Sequence, residues 1–328
     1  MTITTATTIT PPRPPTGASM PADDGSLKAH LATEYYLQNR SKVDIAKEHG
    51  LSRFQVARML EEARAQGIVR IQIHDPAESG RDLAPLAEKL GISRVVVASP
   101  RVDETMRAAL ARQVGRLLPD LLHDGGRLGV AWSRTLMHLP DSLDALPRVD
   151  VVQLVGPLSA PGYSSAHSSA LIHTLGSFAG GGIWALPTPL IVDSPEVAAS
   201  LRGMDEVRSA LEAADEIDVA TVSIGAWWPG ASTLWSRLSE DERGRAREAG
   251  VVAECAGVLV DAEGRVARAG IEERVIGVGA EQLRRAHVVA VAPAVGHPEA
   301  VVAAARAGLV DDLVLSAELA TQVADLLG

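Results

Sequence analysis

Short apolar runs alternate with amphipathic segments over most of this 328-residue chain. The runs with the length and composition of buried β-strands are 94–98, 127–131, 149–155, 183–186, 217–224, 275–278, 288–292 and 313–315. The segments of helical periodicity between them include 105–122, 166–179, 205–214, 298–307 and 317–327. This alternation predicts a mostly parallel α/β sheet that is covered on both faces and binds ligands at the carboxyl ends of its strands.

The first ninety residues follow a different pattern. Thr and Pro dominate the start of the chain, which has too little apolar surface to order itself. A helix is predicted over 26–40, an alternating strand over 68–73, and a connecting helix that ends before Gly91. The predicted division is a flexible tail (1–25), a helical domain (26–75), a linker helix (76–90) and a large α/β domain (91–328). The first helix is expected to turn Leu27, Leu31 and Tyr35 inward, with Leu37 as a further candidate.

Residues 41–60, SKVDIAKEHGLSRFQVARML, contain two short helices whose ends are marked in the sequence. Ser41 can cap the first helix, with Asp44 beside its positive end. Gly50 suits the positive-φ residue that ends this helix, and Ser52 with Gln55 forms a capping box for the second. Two such helices predict a helix-turn-helix, whose second helix enters the major groove of DNA. The residues expected to face inward are Ile45, Ala46, Leu51, Val56 and Leu60.

The second helix carries side chains suited to base contacts, because arginine pairs bidentately with guanine and glutamine with adenine. The predicted base-contacting residues are Arg53, Phe54, Gln55 and Arg58, and the predicted phosphate contacts are Ser41, Lys42 and Arg70. Residues 40–70 hold seven basic and four acidic side chains, whereas the whole chain has a net charge of −10. A basic segment on an acidic body is typical of an attached DNA-binding module. The alternative is an ordinary helical hairpin with a solvated arginine face.

Composition excludes several kinds of chemistry. The single cysteine, Cys255, rules out a disulfide framework and zinc sites that need two thiolates. All four lysines lie before residue 90, so the large domain has none for a Schiff base or a Walker-type phosphate loop. We expect no cofactor and no metal. The chain lacks a secretory leader and any run of about 18 apolar residues, so a cytoplasmic protein is predicted.

Stretches from both parts of the chain match one family pattern. They are YYLQNRSKVDIAKEHGLSRFQVARMLEEARAQGIVRIQI near the start, then LGVAWSRTL (128–136), VVQLVGPL (151–158), ALPTPLIVDSPEV (185–197), EIDVATVSIGA (216–226), GVVAECAGVLVDAEG (250–264) and AGLVDDLVLSAELATQVADLL (307–327). Together they resemble the SorC family of bacterial sugar-responsive transcriptional regulators. The resemblance implies a winged helix-turn-helix followed by a Rossmann-like effector domain. It also implies assembly into homodimers or homotetramers, and operator binding that a sugar or sugar phosphate alters.

The loop after the predicted strand 127–131 is the first candidate for effector binding. Its residues Trp132, Ser133, Arg134 and Thr135 begin a predicted helix, and their amides, hydroxyls and guanidinium suit an anionic or polyhydroxyl ligand. In the SorC family this loop commonly contributes to the effector site, although Ser133 could simply cap the helix. The further candidates are Gly156, Pro157, Gly225, Trp227 and Glu254. Trp227 could equally fill the core, and Glu254 could equally form an ion pair.

The chain departs from the family pattern near 292–300, where the family often has two glycines and a lysine. Pro293 and Ala294 replace the glycines, His297 stands at the lysine position, and Ser316 replaces a frequent aspartate. These changes leave fewer donors for a phosphate dianion, so we expect an unphosphorylated sugar or polyol. His297 is either a contact to this effector or an ordinary loop histidine.

The leading hypothesis is therefore a DNA-binding regulator of a carbohydrate or polyol catabolic operon, without enzymatic activity. A sugar-phosphate isomerase-like enzyme with an accessory DNA-binding segment is the alternative, supported by fold analogy alone. A third hypothesis is a DNA-binding assembly factor with a vestigial pocket. The sequence contains no nucleophile elbow and no dinucleotide-binding glycine pattern. Repressor and activator, and dimer and tetramer, are all compatible with these residues.

Overall fold

The computed structural model describes residues 24–66, 68–69, 83–157, 165–293 and 295–328. The chain divides into two compact units, residues 1–75 and 76–328. Nearly all of the predicted tail, most of the predicted strand 68–73 with Arg70, and the start of the predicted linker helix lie outside the described residues.

Helices make up the described part of the N-terminal unit. They are α1 (Asp24–Ala32), a π-helical turn (Thr33–Leu37), α2 (Lys42–His49) and α3 (Arg53–Ala65). Their apolar side chains form a small core of Leu31, Ala32, Ile45, Ala46, Val56 and Leu60, against which Leu27, Tyr35 and Leu51 pack. The inward orientation expected for Leu37 is wrong, because its side chain is 78% exposed. Leu37 is the last residue of the π turn, in which side chains are spaced differently from those of an α-helix.

The ends of α2 and α3 form as the local sequence predicts. Ser41 Oγ accepts a hydrogen bond from the Asp44 amide at 3.2 Å, and Gly50 ends α2 with φ at 65°. Ser52 Oγ accepts from the Gln55 amide at 3.2 Å, while Gln55 Oε1 accepts from the Ser52 amide at 2.8 Å. These bonds satisfy amides that the first turn of a helix leaves free. The predicted helix-turn-helix is confirmed.

A mostly parallel sheet of nine strands is seen over the described part of the C-terminal unit. The strands are β1 (Arg94–Ala98), β2 (Arg127–Val130), β3 (Asp150–Gln153), β4 (Ile183–Trp184), β5 (Val219–Ala226), β6 (Val251–Cys255), β7 (Val258–Asp261), β8 (His287–Ala292) and β9 (Asp312–Ser316). Parallel pairing gives the order β1-β9-β8-β5-β2-β3-β4, and β6 joins the end of β5 in antiparallel register. Nearly every residue of β8 and β9 is buried, as in a sheet covered on both faces. The predicted Rossmann-like fold class is confirmed.

Helices connect most of these strands. They are α4 (Ala84–Leu90), α5 (Met106–Leu121), α6 (Ser165–Ala179), α7 (Pro195–Arg202), α8 (Asp205–Ala213), α9 (Glu240–Glu248), α10 (Ala280–Arg285), α11 (Pro298–Arg306) and α12 (Ala317–Leu327). Gly91 ends α4 with φ at 69°, the left-handed conformation that glycine adopts at low cost. Over the residues described, no helix has the length and apolar character needed to cross a membrane.

Two features of the sheet differ from the prediction. The run 275–278 is not a strand, since it meets other segments through single antiparallel bridges such as that between Val155 and Gly277. The segment is apolar because Val275 and Val278 are buried in the main core and Ile276 in a separate small core, so burial and not ladder pairing explains its composition. The second difference is the antiparallel β6–β7 hairpin, which no predicted element covers.

Candidate functional site

A cavity opens at the carboxyl ends of β2, β3 and β5. The segments 131–135, 155–156 and 223–225 line it together with a side chain from β6. The cavity holds about 680 Å³ of empty space, which includes its mouth open to solvent. Loops converge at this edge of a parallel sheet, which is where α/β proteins bind ligands. The predicted effector residues that line it are Trp132, Ser133, Arg134, Thr135, Gly156, Gly225 and Glu254.

The loop after β2 presents buried polar side chains to this cavity. Trp132, Ser133 and Thr135 are each less than a tenth exposed. Ser133 Oγ accepts a hydrogen bond from the Leu136 amide at 3.0 Å, so its capping role is present. It caps only a 3₁₀ turn, Leu136–His138, and the helix predicted to begin here does not form.

Pro140 is one reason why an α-helix does not form here. Proline has no amide hydrogen, and its ring collides with the carbonyl four residues earlier in an α-helix, so Pro140 disfavours an α-helix over 136–140. A second short turn, Pro140–Ser142, begins there instead. The loop therefore offers hydroxyl groups and backbone amides to a ligand, without the aligned dipoles of an α-helix.

Glu254 presents a carboxylate to the same cavity. Ser232 Oγ donates a hydrogen bond to Glu254 Oε2 at 2.9 Å, and the Gly257 amide donates to Oε1 at 3.2 Å. Burial raises the pKa of the Glu254 carboxyl, because the charged form loses its hydration. Among the described residues the partners of this carboxylate are a hydroxyl and an amide, so the ion pair given as its alternative role is absent there. Each oxygen keeps a lone pair that can accept a hydroxyl from a ligand.

The glycine opposite makes room for this carboxylate. Gly225 pairs with Glu254 across the antiparallel β5–β6 ladder. A Cβ atom on Gly225 would lie 3.0 Å from Glu254 Oε2, which is tighter than ordinary contact. The absence of a side chain at 225 therefore keeps both the carboxylate and the cavity in place.

Two arginines bring positive charge to the cavity lining. Arg134 Nη2 donates a hydrogen bond to the Gly230 carbonyl at 2.8 Å, which holds the guanidinium across the loop after β5. Arg107 lies in the first turn of α5 and is exposed. With Glu254, these groups give the site both donors and an acceptor, the combination that polyhydroxyl ligands need.

Pro157, Trp227 and His297 are not among the described residues that line the cavity. The Trp227 side chain packs against the main core, which is the core-filling alternative for this residue. His297 Nδ1 lies 3.4 Å from Glu299 Oε1, and its ring centroid lies 5.9 Å from that of Trp228. Pro293 lines the cavity instead, from the end of β8.

Several polar lining residues escaped the sequence analysis, namely Arg107, Ser223 and Thr233. Ser223 had a recognisable signal, since it is the polar residue that interrupts the apolar run of β5 near its carboxyl end. Arg107 and Thr233 had none, because their approach to the cavity depends on how α5 and the loop after β5 pack.

The helix-turn-helix presents its candidate DNA contacts at the surface. Phe54 is 80% exposed, and the Arg53 guanidinium lies 5.9 Å from the centre of its ring. Arg58 is exposed, with Nε 3.1 Å from Glu62 Oε1. The Lys42 ammonium lies 5.1 Å from the Tyr35 ring centre.

Gln55 and Ser41 are already engaged in capping their helices. The Gln55 side-chain oxygen accepts from the Ser52 amide, which leaves the side-chain NH₂ to donate to a base. Ser41 Oγ donates to Asp44 Oδ2 at 2.6 Å, so a phosphate contact there would compete with an existing hydrogen bond. Arg53 contacts the Phe54 ring, whereas Arg58 would have to leave Glu62 to contact DNA.

Comparison with known proteins identifies the class. Residues 82–324 match the family model described as "Putative sugar-binding domain". Since the match covers about three quarters of the chain, the protein belongs to this family of sugar-binding domains. The resemblance to the SorC family is confirmed, and the relatives found are transcriptional regulators.

Similar proteins extend over most of the chain. An uncharacterized transcriptional regulator of Escherichia coli K12, YjhU, is 28% identical over 291 residues, covering 83% of this chain and 85% of that protein. The sorbitol operon regulator of Klebsiella pneumoniae is 28% identical over 211 residues, covering 62% of this chain and 67% of that protein. The crystal structure of the full-length sorbitol operon regulator SorC from Klebsiella pneumoniae has a TM-score of 0.67 at 22% identity, covering 94% of this chain and all of that one. This likeness confirms the fold of both units.

Proposed function

We propose that this chain binds operator DNA through α3 and that an unphosphorylated sugar or polyol in the cavity changes its affinity for that DNA. The observation that carries the proposal is that the half-buried Glu254 carboxyl group and the Ser133 and Thr135 hydroxyls line one cavity at the carboxyl end of the sheet. Neutral polyols donate and accept at every hydroxyl, so they match a mixed lining of this kind.

The charges favour a neutral ligand over a phosphate dianion. When it is ionised, the Glu254 carboxylate repels a second negative group placed beside it. Arg107 and Arg134 attract an anion, so the argument for a neutral ligand applies to the ligand groups that lie beside Glu254; Arg134 also donates to the Gly230 carbonyl. The residues we propose as effector contacts are Trp132, Ser133, Arg134, Thr135, Gly156, Gly225, Glu254 and the newly found Arg107, Ser223 and Thr233.

The ligand acts by binding two states unequally. An effector shifts an equilibrium only by the difference in its affinity for the DNA-competent and DNA-incompetent states. In a homodimer or homotetramer, this shift changes the spacing of paired recognition helices, which must match half-sites about one helical turn apart, or a multiple of it. We propose such a homo-oligomer as the active form, on a carbohydrate or polyol catabolic operon.

We propose that the chain is not an enzyme. Its relatives are named as regulators, and the one cysteine is a poor nucleophile. The Cys255 thiol is fully buried, and burial raises its pKa, so the reactive thiolate is disfavoured at neutral pH.

A thermal-shift screen tests the proposal. Full-length protein is melted with free sugars, polyols and their phosphates, because a ligand at ~100 Kd stabilises the protein by about 2.7 kcal/mol. We expect stabilisation by an unphosphorylated compound. Hits confined to phosphates would contradict the charge argument. If no compound stabilises the protein and none changes its DNA binding, the assembly-factor hypothesis is favoured. Turnover of a sugar phosphate would favour the enzyme hypothesis.

The same protein supplies the DNA arm of the test. Duplexes that it binds specifically are enriched from a random pool, and the affinity for the winning duplex is measured with and without the hit. A change in affinity supports the proposed regulator. An affinity for the duplex that saturating ligand leaves unchanged would show that DNA binding and ligand binding are not coupled. This result would contradict the proposal.

A further inference from the structure

Two histidines and one glutamate converge within the N-terminal unit, away from any residue used above. His30 is on α1, Glu34 is on the π-helical turn, and His49 is the last residue of α2. His30 Nε2 lies 3.3 Å and His49 Nε2 lies 3.2 Å from the same oxygen, Glu34 Oε1. The three atoms all lie within 4.8 Å of one another, and over the described residues this is the one group of three or more His, Cys, Asp or Glu so arranged.

These distances are close to those around a tetrahedral ion. Zinc bonds nitrogen and carboxylate oxygen at about 2.0–2.2 Å, which places neighbouring ligand atoms about 3.3 Å apart. The two measured edges of the triangle already have this length. The imidazole rings meet edge to face, with centroids 5.5 Å apart and an interplanar angle of 78°, so both can direct Nε2 at one point without stacking.

The glutamate is held in the orientation that this role requires. Arg40 Nη1 lies 3.0 Å from Glu34 Oε2, an ion-pair contact without hydrogen-bond geometry, while both histidines approach the other oxygen. An outer partner of this kind orients a metal-ligating carboxylate. The side chain of Glu34 is only 6% exposed, whereas that of His30 is 57% exposed, so the cluster has a buried anchor and a side open to water.

We propose that His30, Glu34 and His49 bind one divalent ion of the zinc, cobalt or nickel class, with water completing the coordination. Imidazole nitrogens favour these ions over magnesium and calcium, which prefer oxygen ligands. The open side at His30 supplies both the entry path and the position for water. The site is independent of the sugar cavity, which belongs to the other unit.

The ion links the first helix of the unit to the helix-turn-helix. His49 directly precedes Gly50, the residue at which α2 ends before the recognition helix. An ion bonded to both α1 and the end of α2 restrains that junction and stabilises the folded DNA-binding unit, since it binds the unit only when the three ligands are assembled.

Cobalt provides a direct readout. Full-length protein without a purification tag is titrated with Co²⁺ and, separately, with Zn²⁺, and stoichiometry is measured by calorimetry and by the visible d–d absorption of bound cobalt. We expect one ion per chain, and displacement of Co²⁺ by Zn²⁺. The test variants are His30→Gln, Glu34→Gln and His49→Gln, and the matched control is His123→Gln, an exposed histidine of the other unit.

The His30→Gln variant decides the outcome, because its exposed side chain can be replaced without disturbing the core. We expect at least a tenfold loss of Co²⁺ affinity in all three ligand variants and none in His123→Gln, with circular dichroism showing that the helices remain. Absence of Co²⁺ and Zn²⁺ uptake by the unaltered protein would overturn the proposal. Co²⁺ affinity and an absorption spectrum in His30→Gln and His49→Gln that equal those of the unaltered protein would also overturn the proposal. The cluster would then be a set of ordinary hydrogen bonds.

Discussion

Gly156, which lines the cavity after β3, cannot accept even one methyl group without moving the backbone. A Cβ atom there would lie 2.1 Å from the Thr188 carbonyl oxygen and 2.7 Å from the Leu190 amide nitrogen. Ordinary contact begins at 3.4 Å, so the 188–190 segment must retreat by about 1.3 Å. These are backbone atoms, so rotation of a side chain cannot relieve the overlap.

The retreat strains a small set of hydrogen bonds. The Gly156 amide donates to the Ile276 carbonyl at 3.2 Å, and the Ile276 amide donates to the Leu190 carbonyl at 2.7 Å. Overpacking of this kind typically costs about 1–3 kcal/mol. For a unit of this size, each kcal/mol lowers Tm by about 2–4 °C, so Gly156→Ala should lower it by roughly 2–12 °C. Effector binding should weaken too, because Leu190 also lines the cavity.

Urea unfolding followed by tryptophan fluorescence measures this loss in the correct unit, because all five tryptophans lie within residues 76–328. Gly244→Ala is the matched control. Gly244 lies inside α9 with nothing within 4 Å of its Cβ position, so alanine should raise stability there by about 0.5–1 kcal/mol. A Gly156→Ala protein as stable as the unaltered one, with undiminished effector binding, would refute the steric reasoning.

Four further substitutions test the two sites. Arg53→Ala and Arg58→Ala should each weaken specific operator binding by about 1–3 kcal/mol and leave effector binding intact, as measured by fluorescence anisotropy. Unchanged specific affinity in both variants would contradict the assignment of α3 to the major groove. Thr135→Val should weaken effector binding and leave ligand-free DNA binding near normal, and an unaltered effector titration would exclude the loop after β2 from the site. Glu254→Gln should change the pH dependence of stability. Burial raises the folded-state pKa of Glu254 above its unfolded value, so ionisation destabilises the native chain as pH rises between the two pKa values. In urea unfolding, the free energy of unfolding of the unaltered protein should fall relative to that of Glu254→Gln as pH rises through that interval. A difference between the two proteins that stays constant from acidic to neutral pH would contradict this reasoning.

The helix ends were predictable because they depend on neighbours in sequence. The capping bonds of Ser41 and Ser52 need only the residue three positions ahead, and both form. The parallel strands were predictable for a related reason, since strands buried on both faces are short continuous apolar runs. The π turn that exposes Leu37 has no such local signature.

The β6–β7 hairpin escaped prediction because its loop lacks the usual turn residues. Ala256 and Gly257 form a two-residue connection in which both have positive φ, 50° and 83°. Asn-Gly or Asp-Gly is the common sequence for such a turn, and alanine rarely adopts this conformation. Without that signal the hairpin could not be located, and neither could the placement of Glu254 opposite Gly225.

Cavity residues were predictable where a strand ends directly at the site. Ser133 and Gly156 follow β2 and β3 by a few residues, so topology alone places them at the correct edge. Trp227 and His297 follow strands too, but their side chains turn away where the loops bend. The path of a loop depends on its packing partners, which are remote in sequence.

Because Gly225 lies close to the Glu254 carboxylate, substitutions at these two positions, about thirty residues apart, are coupled. A Cβ atom at 225 lies 3.0 Å from the Glu254 carboxylate, so replacing Gly225 alone is unfavourable while glutamate remains at 254. A shorter residue at 254 removes the closest of these contacts, and the Ala231 carbonyl oxygen, 3.3 Å from the same Cβ position, still limits residue 225 to a small side chain. Descendants of this protein that acquire a different ligand preference should therefore alter both positions together, and a designer who wishes to reshape the pocket should begin with the double replacement.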